Sequence, residues 1–167
     1  MNKNLPLSNI VVLDLTNVLS GPFATQILSD LGAEIIKVEK PNGDDSRKFG
    51  PFIKKRSSYF ISLNRGKKSI VVDFNNEEDK KIFKKLLAIS DVIIDNFKPG
   101  TLEKYGFSSS YLKKNFPLLI QTKISGFGET GPLKENPAYD MIVQAMGGIM
   151  SITGKDKNET YRVGSSI

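Results

Sequence analysis

Five short apolar runs limit what this chain can fold into more than any other feature: 10–15 (Ile-Val-Val-Leu-Asp-Leu), 34–38, 69–74, 91–95 and 118–124. Each is too short for a stable helix, and β-branched residues recur in them, as expected of strands buried in a parallel sheet. Helical patterns alternate with them. Phe23 to Leu31 places Ala24, Ile27, Leu28 and Leu31 on one face, with Ser20 as its cap, Pro22 in its first turn and Gly32 as its stop. Asn75 or Asn76 caps a second helix whose first turn is acidic (Glu77, Glu78, Asp79) and whose body carries lysines, an order that suits the helix dipole. Two short helices are predicted near 101–105 and 108–115, and a last one over 139–150. The polar stretch 42–58 reads as an excursion or loop, 59–63 resumes apolar character, and 64–68 is a turn. Strands that alternate with helices predict an α/β fold with a mainly parallel sheet.

The 167 residues include no cysteine, histidine or tryptophan. Disulfides, Cys/His zinc sites, Ser-His-Asp triads and Cys-His nucleophile pairs are therefore excluded. Chemistry is left to carboxylates, lysines, hydroxyls, backbone amides or a bound coenzyme. The net charge of +6 is carried by 20 lysines and only 4 arginines, spread along the chain and often in pairs. The bland reading is a solvated surface; the functional one is a basic cleft for a small anion. Nucleic-acid binding is not expected, because readers of bases favour arginine forks. No apolar run approaches the ~18 residues of a membrane span. The opening segment reads as a first strand rather than a signal peptide, so a cytoplasmic protein is expected, away from membranes.

In open α/β sheets ligands gather beyond the carboxyl ends of the strands. The segments falling there are 19–22, 39–41, 74–76, 96–100 and 125–132. Ser20-Gly21-Pro22 could present backbone amides to a phosphate, although it is not a GxGxxG fingerprint. Glu39 could mimic a ribose-binding acid, which keeps an NAD-type Rossmann oxidoreductase as an alternative; its bland reading is a strand-end surface residue. Asn96-Phe97-Lys98-Pro99-Gly100 joins an amide, an aromatic face and an ammonium, which suits a nucleotide, or else is a structural turn. The loop 125–132 is either a flexible cover or a turn that needs positive φ. Asp140 suits a helix start, and Asp14, Asp73 and Asp95 each terminate a predicted strand.

In order along the chain, these segments resemble the N-terminal part of the class III CoA-transferases, the CaiB–BaiF family. The resemblance is carried by 10–16 followed by Ser20-Gly21-Pro22-Phe23-Ala24-Thr25, and by Asp30-Leu31-Gly32-Ala33-Glu34 through Val38-Glu39-Lys40-Pro41. It continues through Leu63-Asn64-Arg65-Gly66-Lys67-Lys68-Ser69-Ile70, Asn96 to Glu103, Ser125-Gly126-Phe127-Gly128, Gln144-Ala145 and Ser151-Ile152-Thr153-Gly154. It implies a Rossmann-like parallel sheet with flanking helices, with residues 1–167 as part of a CoA-binding large domain. The implied reaction moves CoA from an acyl-CoA to a carboxylic acid through an enzyme aspartyl anhydride and an aspartyl-CoA thioester. Coenzyme A is the implied ligand, with no metal.

Carried over position by position, Leu19 and Ser20 would line the CoA site. Lys40 and Lys104 stand where relatives often have arginine, so the charge is kept and the bidentate fork lost. Val72, Asp73, Phe74 and Asn75 would meet the adenine end; Asn96, Phe97 and Lys98 the nucleotide and pantetheine arm; Pro137, Ala138, Tyr139 and Asp140 the thioester end. The branch that racemises 2-methylacyl-CoA carries histidine where Tyr139 stands, which favours transfer here over a racemase-like role. The family's nucleophilic aspartate is expected two positions after Ile167, so no catalytic residue is assigned and the 167-residue polypeptide alone is expected to be inactive. The resemblance implies acyl-CoA and carboxylic acid substrates and an interlocked homodimer in the full-length form, or a second polypeptide supplying the missing part. A non-catalytic CoA-binding or interaction module is the remaining alternative, since a half-finished sheet exposes an edge and an apolar face.

Overall fold

A computed structural model describes residues 5–156 and 158–164, so Ser165-Ser166-Ile167, the end of the segment that precedes the expected nucleophile, lies outside the described residues. Strands β1 (Val11–Asp14), β2 (Glu34–Glu39), β5 (Lys68–Val71), β6 (Val92–Asp95) and β7 (Ile120–Lys123) form one sheet in the order β5-β2-β1-β6-β7. All four pairings are parallel. This is the Rossmann-like order, with a topological switch point between β1 and β6. Between these strands run α1 (Ser20–Asp30), α2 (Ser58–Asn64), α3 (Glu77–Ala88), α4 (Thr101–Lys104) and α5 (Ser109–Asn115).

Side chains alternate across the sheet as strand geometry requires. Leu13, Leu15, Ile93 and Val38 pack on one side with Val72, Phe83, Leu87, Phe107, Leu112 and Leu119. Val12, Ile35, Ile94 and Ala33 pack on the other side with Leu28 and Ile124. An aromatic cluster anchors the first side: Phe74 meets Phe83 edge-on at 4.9 Å and stacks on Tyr105 at 5.2 Å.

Several local expectations are corrected. Ser20 does not cap α1; the cap is Leu19, without a side-chain bond, and Ser20 is the exposed first residue of the helix. The buried face of α1 is not that of the apolar pattern, for Phe23, Ile27 and Leu31 are exposed while Thr25 and Gln26 are buried. Thr25 goes inward because its hydroxyl reaches the buried carboxylate of Asp14. The predicted strand 69–74 stops at Val71; Val72 still donates to Glu39 O, but Asp73 turns away to accept from Asn75 and does not end a strand. Asn76, not Asn75, caps α3 by accepting from the amides of Glu78 and Asp79.

The stretch 42–58 is not a plain loop. It holds a 3-10 turn (Asp45–Lys48) and a hairpin of β3 (Phe52–Ile53) and β4 (Arg56–Ser57). Lys54 and Lys55 form the hairpin tip at φ 48° and 64°. Two left-handed residues are what a two-residue primed turn needs, yet lysine there costs roughly 1–2 kcal/mol per residue against glycine. The apolar run 59–63 is helical in α2, capped by Ser57, whose hydroxyl accepts from Phe60 N.

The chain packs as two units, Met1–Ile124 and Ser125–Ile167. In the second, α6 (Asp140–Met146) ends earlier than the predicted 139–150; a 3-10 turn (Ile149–Ile152) and a hairpin of β8 (Gly154–Asp156) and β9 (Glu159–Thr160) follow. The break falls at Gly147-Gly148, where Gly148 takes φ 80°. No helix of the described residues is long and apolar enough to cross a membrane.

Candidate functional site

Beneath the carboxyl ends of β1 and β2 lies a buried ionic lattice. Asp14, the last residue of β1, receives Thr16 N and Thr16 Oγ1 on one oxygen, at 2.9 and 2.5 Å, and Thr25 Oγ1 and Lys67 Nζ on the other, at 2.6 and 3.1 Å. Lys67 also donates to Pro22 O, Thr25 Oγ1 and Asn64 Oδ1. Both side chains are fully enclosed, with Lys67 1% and Asp14 0% exposed. Burial pushes the Lys67 ammonium down from its ordinary pKa, and the neighbouring Asp14 opposes that shift. The carboxylate, two threonines and a lysine hold the turn from β1 into α1 in one geometry. Gly21 is required there, because a Cβ would sit 2.2 Å from Thr16 Cβ.

A second buried pair extends the lattice. Lys37 Nζ lies 2.9 Å from Asp44 Oδ2 and donates to Thr16 O at 2.7 Å. Asp44 Oδ1 accepts from Ser46 N, Ser46 Oγ and, at 3.3 Å, Val18 N. Burial would raise the Asp44 pKa, but Ser46 and Lys37 more than compensate and hold it below the usual range. Val18 is kept at φ 69°, a left-handed conformation unfavourable to a β-branched residue.

Glu39 closes the lattice at the end of β2. Arg47 grips it with Nε and Nη2 at 2.7 and 2.6 Å, Ser69 Oγ donates at 2.6 Å and Asp44 N at 2.9 Å. Burial alone would raise its pKa; the bonds from Arg47, Ser69 and the Asp44 amide instead lower it from 4.5 to about 2. The ribose-acid reading of Glu39 is thereby corrected: the side chain is buried and its two oxygens are already held by two side chains and an amide.

Across the switch point, Asn96 stitches β6 to β1. Its Oδ1 accepts from Asn17 N and its Nδ2 donates to Asn17 O, each at 2.9 Å. Asn96 therefore shapes the crevice wall with the same amide that the sequence offers to a nucleotide. Beside it Phe97 is half-buried against the core, and Lys98 is exposed. Leu19 is half-buried and Ser20 exposed at the start of α1. Lys104 is exposed on α4, and Lys40 is exposed and paired with Asp45 at 2.7 Å.

Residues 72–75 divide. Val72 is buried and Phe74 belongs to the aromatic cluster, so their side chains face the core. Asp73 and Asn75 stand at the surface turn, bonded to each other. In the second unit, Pro137 and Tyr139 are exposed, Ala138 and Asp140 half-buried. Ala138 packs against Gly126 so closely that a Cβ on Gly126 would lie 1.8 Å from its own. Asp140 opens α6 and accepts from Gln144 at 2.9 Å.

The buried lysines Lys37 and Lys67, with Asp14, Asp44 and Arg47, are absent from the sequence-predicted set. One signal was available: Lys37 interrupts Ile35-Ile36-Lys37-Val38, and a charge within a strand covered on both faces needs a partner. Among the described residues no group of three or more acidic side chains is placed to hold a metal ion.

A profile of CoA-transferase family III matches residues 7–167. An acetyl-CoA:oxalate CoA-transferase of Acetobacter aceti is 49% identical over 162 residues, covering 96% of this chain and 42% of that protein. A succinyl-CoA:glutarate CoA-transferase of Mus musculus is 47% identical over 164 residues, covering 97% and 38%. The crystal structure of a CaiB/BaiF family protein from Brucella suis superposes with a TM-score of 0.92 at 44% identity, covering 98% of this chain and 45% of that one. The chain thus spans less than half the length of these relatives.

Proposed function

The chain belongs to CoA-transferase family III, and from that premise we propose that its strand-end loops hold coenzyme A during transfer of CoA from an acyl-CoA to a dicarboxylic acid. The observation that carries this reading is the buried lattice, which fixes the turn beginning at Thr16 beside the switch point, where Asn96 bonds Asn17 and Lys98, two residues on, is exposed. Rigid backbone at that crevice with an exposed ammonium beside it suits a ligand that carries phosphate charges. The acceptor class follows the relatives, whose names pair CoA with oxalate and glutarate, both dicarboxylic acids.

In the proposed reaction an aspartate carboxylate attacks the thioester carbonyl, the C–S bond breaks, and CoA leaves as its thiolate. The thiolate attacks the aspartyl carbonyl of the anhydride and the donor acid departs. The acceptor carboxylate then attacks the aspartyl thioester, and returning thiolate takes the acceptor acyl group, freeing the aspartate. Thiolate leaves and returns twice, so holding CoA in place between steps keeps each attack effectively intramolecular. The attacking aspartate is expected two positions beyond Ile167. We accordingly propose that these 167 residues by themselves bind CoA without turnover, and that the attacking aspartate comes from the rest of a full-length form, an interlocked homodimer, or from a second polypeptide. The exposed apolar row Phe23, Ile27 and Leu31 on α1 is consistent with such a neighbour.

Calorimetric titration of CoA into the chain tests the reading. Binding should weaken as salt rises. Lys98→Ala should weaken CoA by about fivefold, as expected for one charge-assisted bond, and dephospho-CoA less if Lys98 faces the 3′-phosphate. Equal losses would move Lys98 away from that phosphate, and absence of any CoA binding would refute the reading itself.

A further inference from the structure

Helix α6 carries its polarity the wrong way round for a helix at a surface. Its apolar residues Met141, Ile142, Val143 and Met146 are exposed, while its one buried side chain is that of Gln144, 1% exposed. Enclosing a carboxamide in place of a hydrocarbon costs stability unless its polar atoms are bonded. In Gln144 both are. Oε1 accepts from Val163 N at 2.8 Å, and Nε2 donates to Asp140 Oδ2 at 2.9 Å and, more weakly, to Val163 O at 3.5 Å. All three residues belong to the second unit.

The backbone at Val163 has no other partner among the described hydrogen bonds. β9 ends at Thr160, Tyr161 N still donates to Thr153 O at 2.8 Å, and from Tyr161 to Gly164 the chain enters neither strand nor helix. One side chain therefore stands in for a neighbouring strand, offering an acceptor to the N–H of Val163 and a donor to its carbonyl. The same carboxamide holds Asp140, the first residue of α6. Gln144 is thus a joint between two points that matter to the transfer chemistry. One is Asp140, expected at the thioester end of CoA. The other is the segment containing Val163, which leads to the position, two beyond Ile167, where the attacking aspartate is expected.

We propose that Gln144 is a positioning residue for the transfer reaction: by fixing Val163 to Asp140, it sets how closely the attacking carboxylate approaches the thioester carbonyl. The assignment rests on the transferase reading above. Gln144 is too enclosed to meet a substrate, and it acts through the two residues it joins. The aspartate attacks or is attacked in every step, so its placement enters each barrier, whereas the affinity for acyl-CoA does not depend on it.

The test has two arms. In the 167-residue chain, Gln144→Met keeps the volume and removes all three bonds, and amide hydrogen exchange at Val163 should quicken by about fivefold, the increment of one neutral hydrogen bond. The second arm joins residues 1–167 to the part of the Acetobacter aceti transferase that follows its matched segment, and measures transfer from acetyl-CoA to oxalate, the pair in that relative's name. There Gln144→Met should lower kcat by about a hundredfold, the loss that a misplacement on the order of 1 Å brings. KM for acetyl-CoA should stay within about twofold, because the lost interaction bears on the transition state and not on binding. Gln144→Glu keeps the acceptor for Val163 N and should lose less; it supplies the comparison if Gln144→Met does not fold. Unchanged exchange at Val163, an unchanged kcat, or a loss carried by KM would overturn the assignment, and an active wild-type hybrid would leave the transferase reading standing. A folded wild-type hybrid that transfers nothing would overturn that reading, and the role of Gln144 with it.

Discussion

Lys67 and Lys98 carry the same ammonium group in opposite surroundings. Lys67 is sealed beneath the first turn with four oxygen partners, while Lys98 stands exposed at the end of β6. The division runs through the first unit: Lys37 is likewise sealed against Asp44, and half-exposed Arg47 stands between the classes with buried Glu39 in its grip, whereas Lys54, Lys55, Arg56 and Lys104 extend from the surface. A desolvated cation with its partners in place fixes backbone and has no capacity left for a ligand. An exposed one contributes little to folding and remains free to meet an anion. One composition figure, +6, therefore conceals two populations with different work.

Removing a member of the buried set gives the largest effect. Lys67→Met should destabilise the chain by about 3–5 kcal/mol, since Asp14 would be left buried without its counter-charge, whereas Lys98→Ala should stay within about 0.5 kcal/mol. Urea denaturation of both variants measures the contrast, and similar losses would erase the distinction between the two populations.

Acid comes next. Glu39 has a folded-state pKa near 2 against an ordinary 4.5, a depressed carboxylate. Its stabilising contribution is therefore present above pH 4.5 and lost as pH falls toward 2. The full amount is at most about 3 kcal/mol, reduced by solvent around half-exposed Arg47. Asp44, shifted the same way, adds to the loss. Denaturation midpoints across that range should fall in the wild type and flatten in Glu39→Gln; an equally steep Glu39→Gln curve would place the acid sensitivity elsewhere.

The smallest effect sharpens the boundary between the populations. Asn96→Ala breaks two bonds to Asn17 and should cost about 1–2 kcal/mol, and CoA affinity should fall with it if the crevice wall loses its shape. A stable variant with weakened CoA would instead mark Asn96 as a direct contact.

The sheet is legible in the sequence for a physical reason. Its three central strands, β1, β2 and β6, are largely buried, so Ile10 to Leu15 and Val92 to Ile94 read as short apolar-rich runs that no amphipathic helix produces. The hairpin and α2 are not legible, because Lys54-Lys55 is an unfavoured pair for a tight turn and five apolar-rich residues, 59–63, fit a strand or a helix equally. The face of α1 misleads because Thr25 goes inward for Asp14, a partner eleven residues away that no periodicity reveals. The candidate site divides likewise. Ser20, Lys98 and Lys104 can be placed from strand ends and resemblance, but the lysines that hold those ends, 37 and 67, have the composition of surface residues and acquire their role only from three-dimensional proximity.

At Val18 the buried set reaches the backbone itself. The left-handed conformation of this residue is retained because a carboxylate 26 residues later, on Asp44, accepts its amide. The first turn is thus not a portable motif. Transplanted with its own strand and helix into another sheet, it would relax, because the instruction for its shape is written in the segment after the second strand.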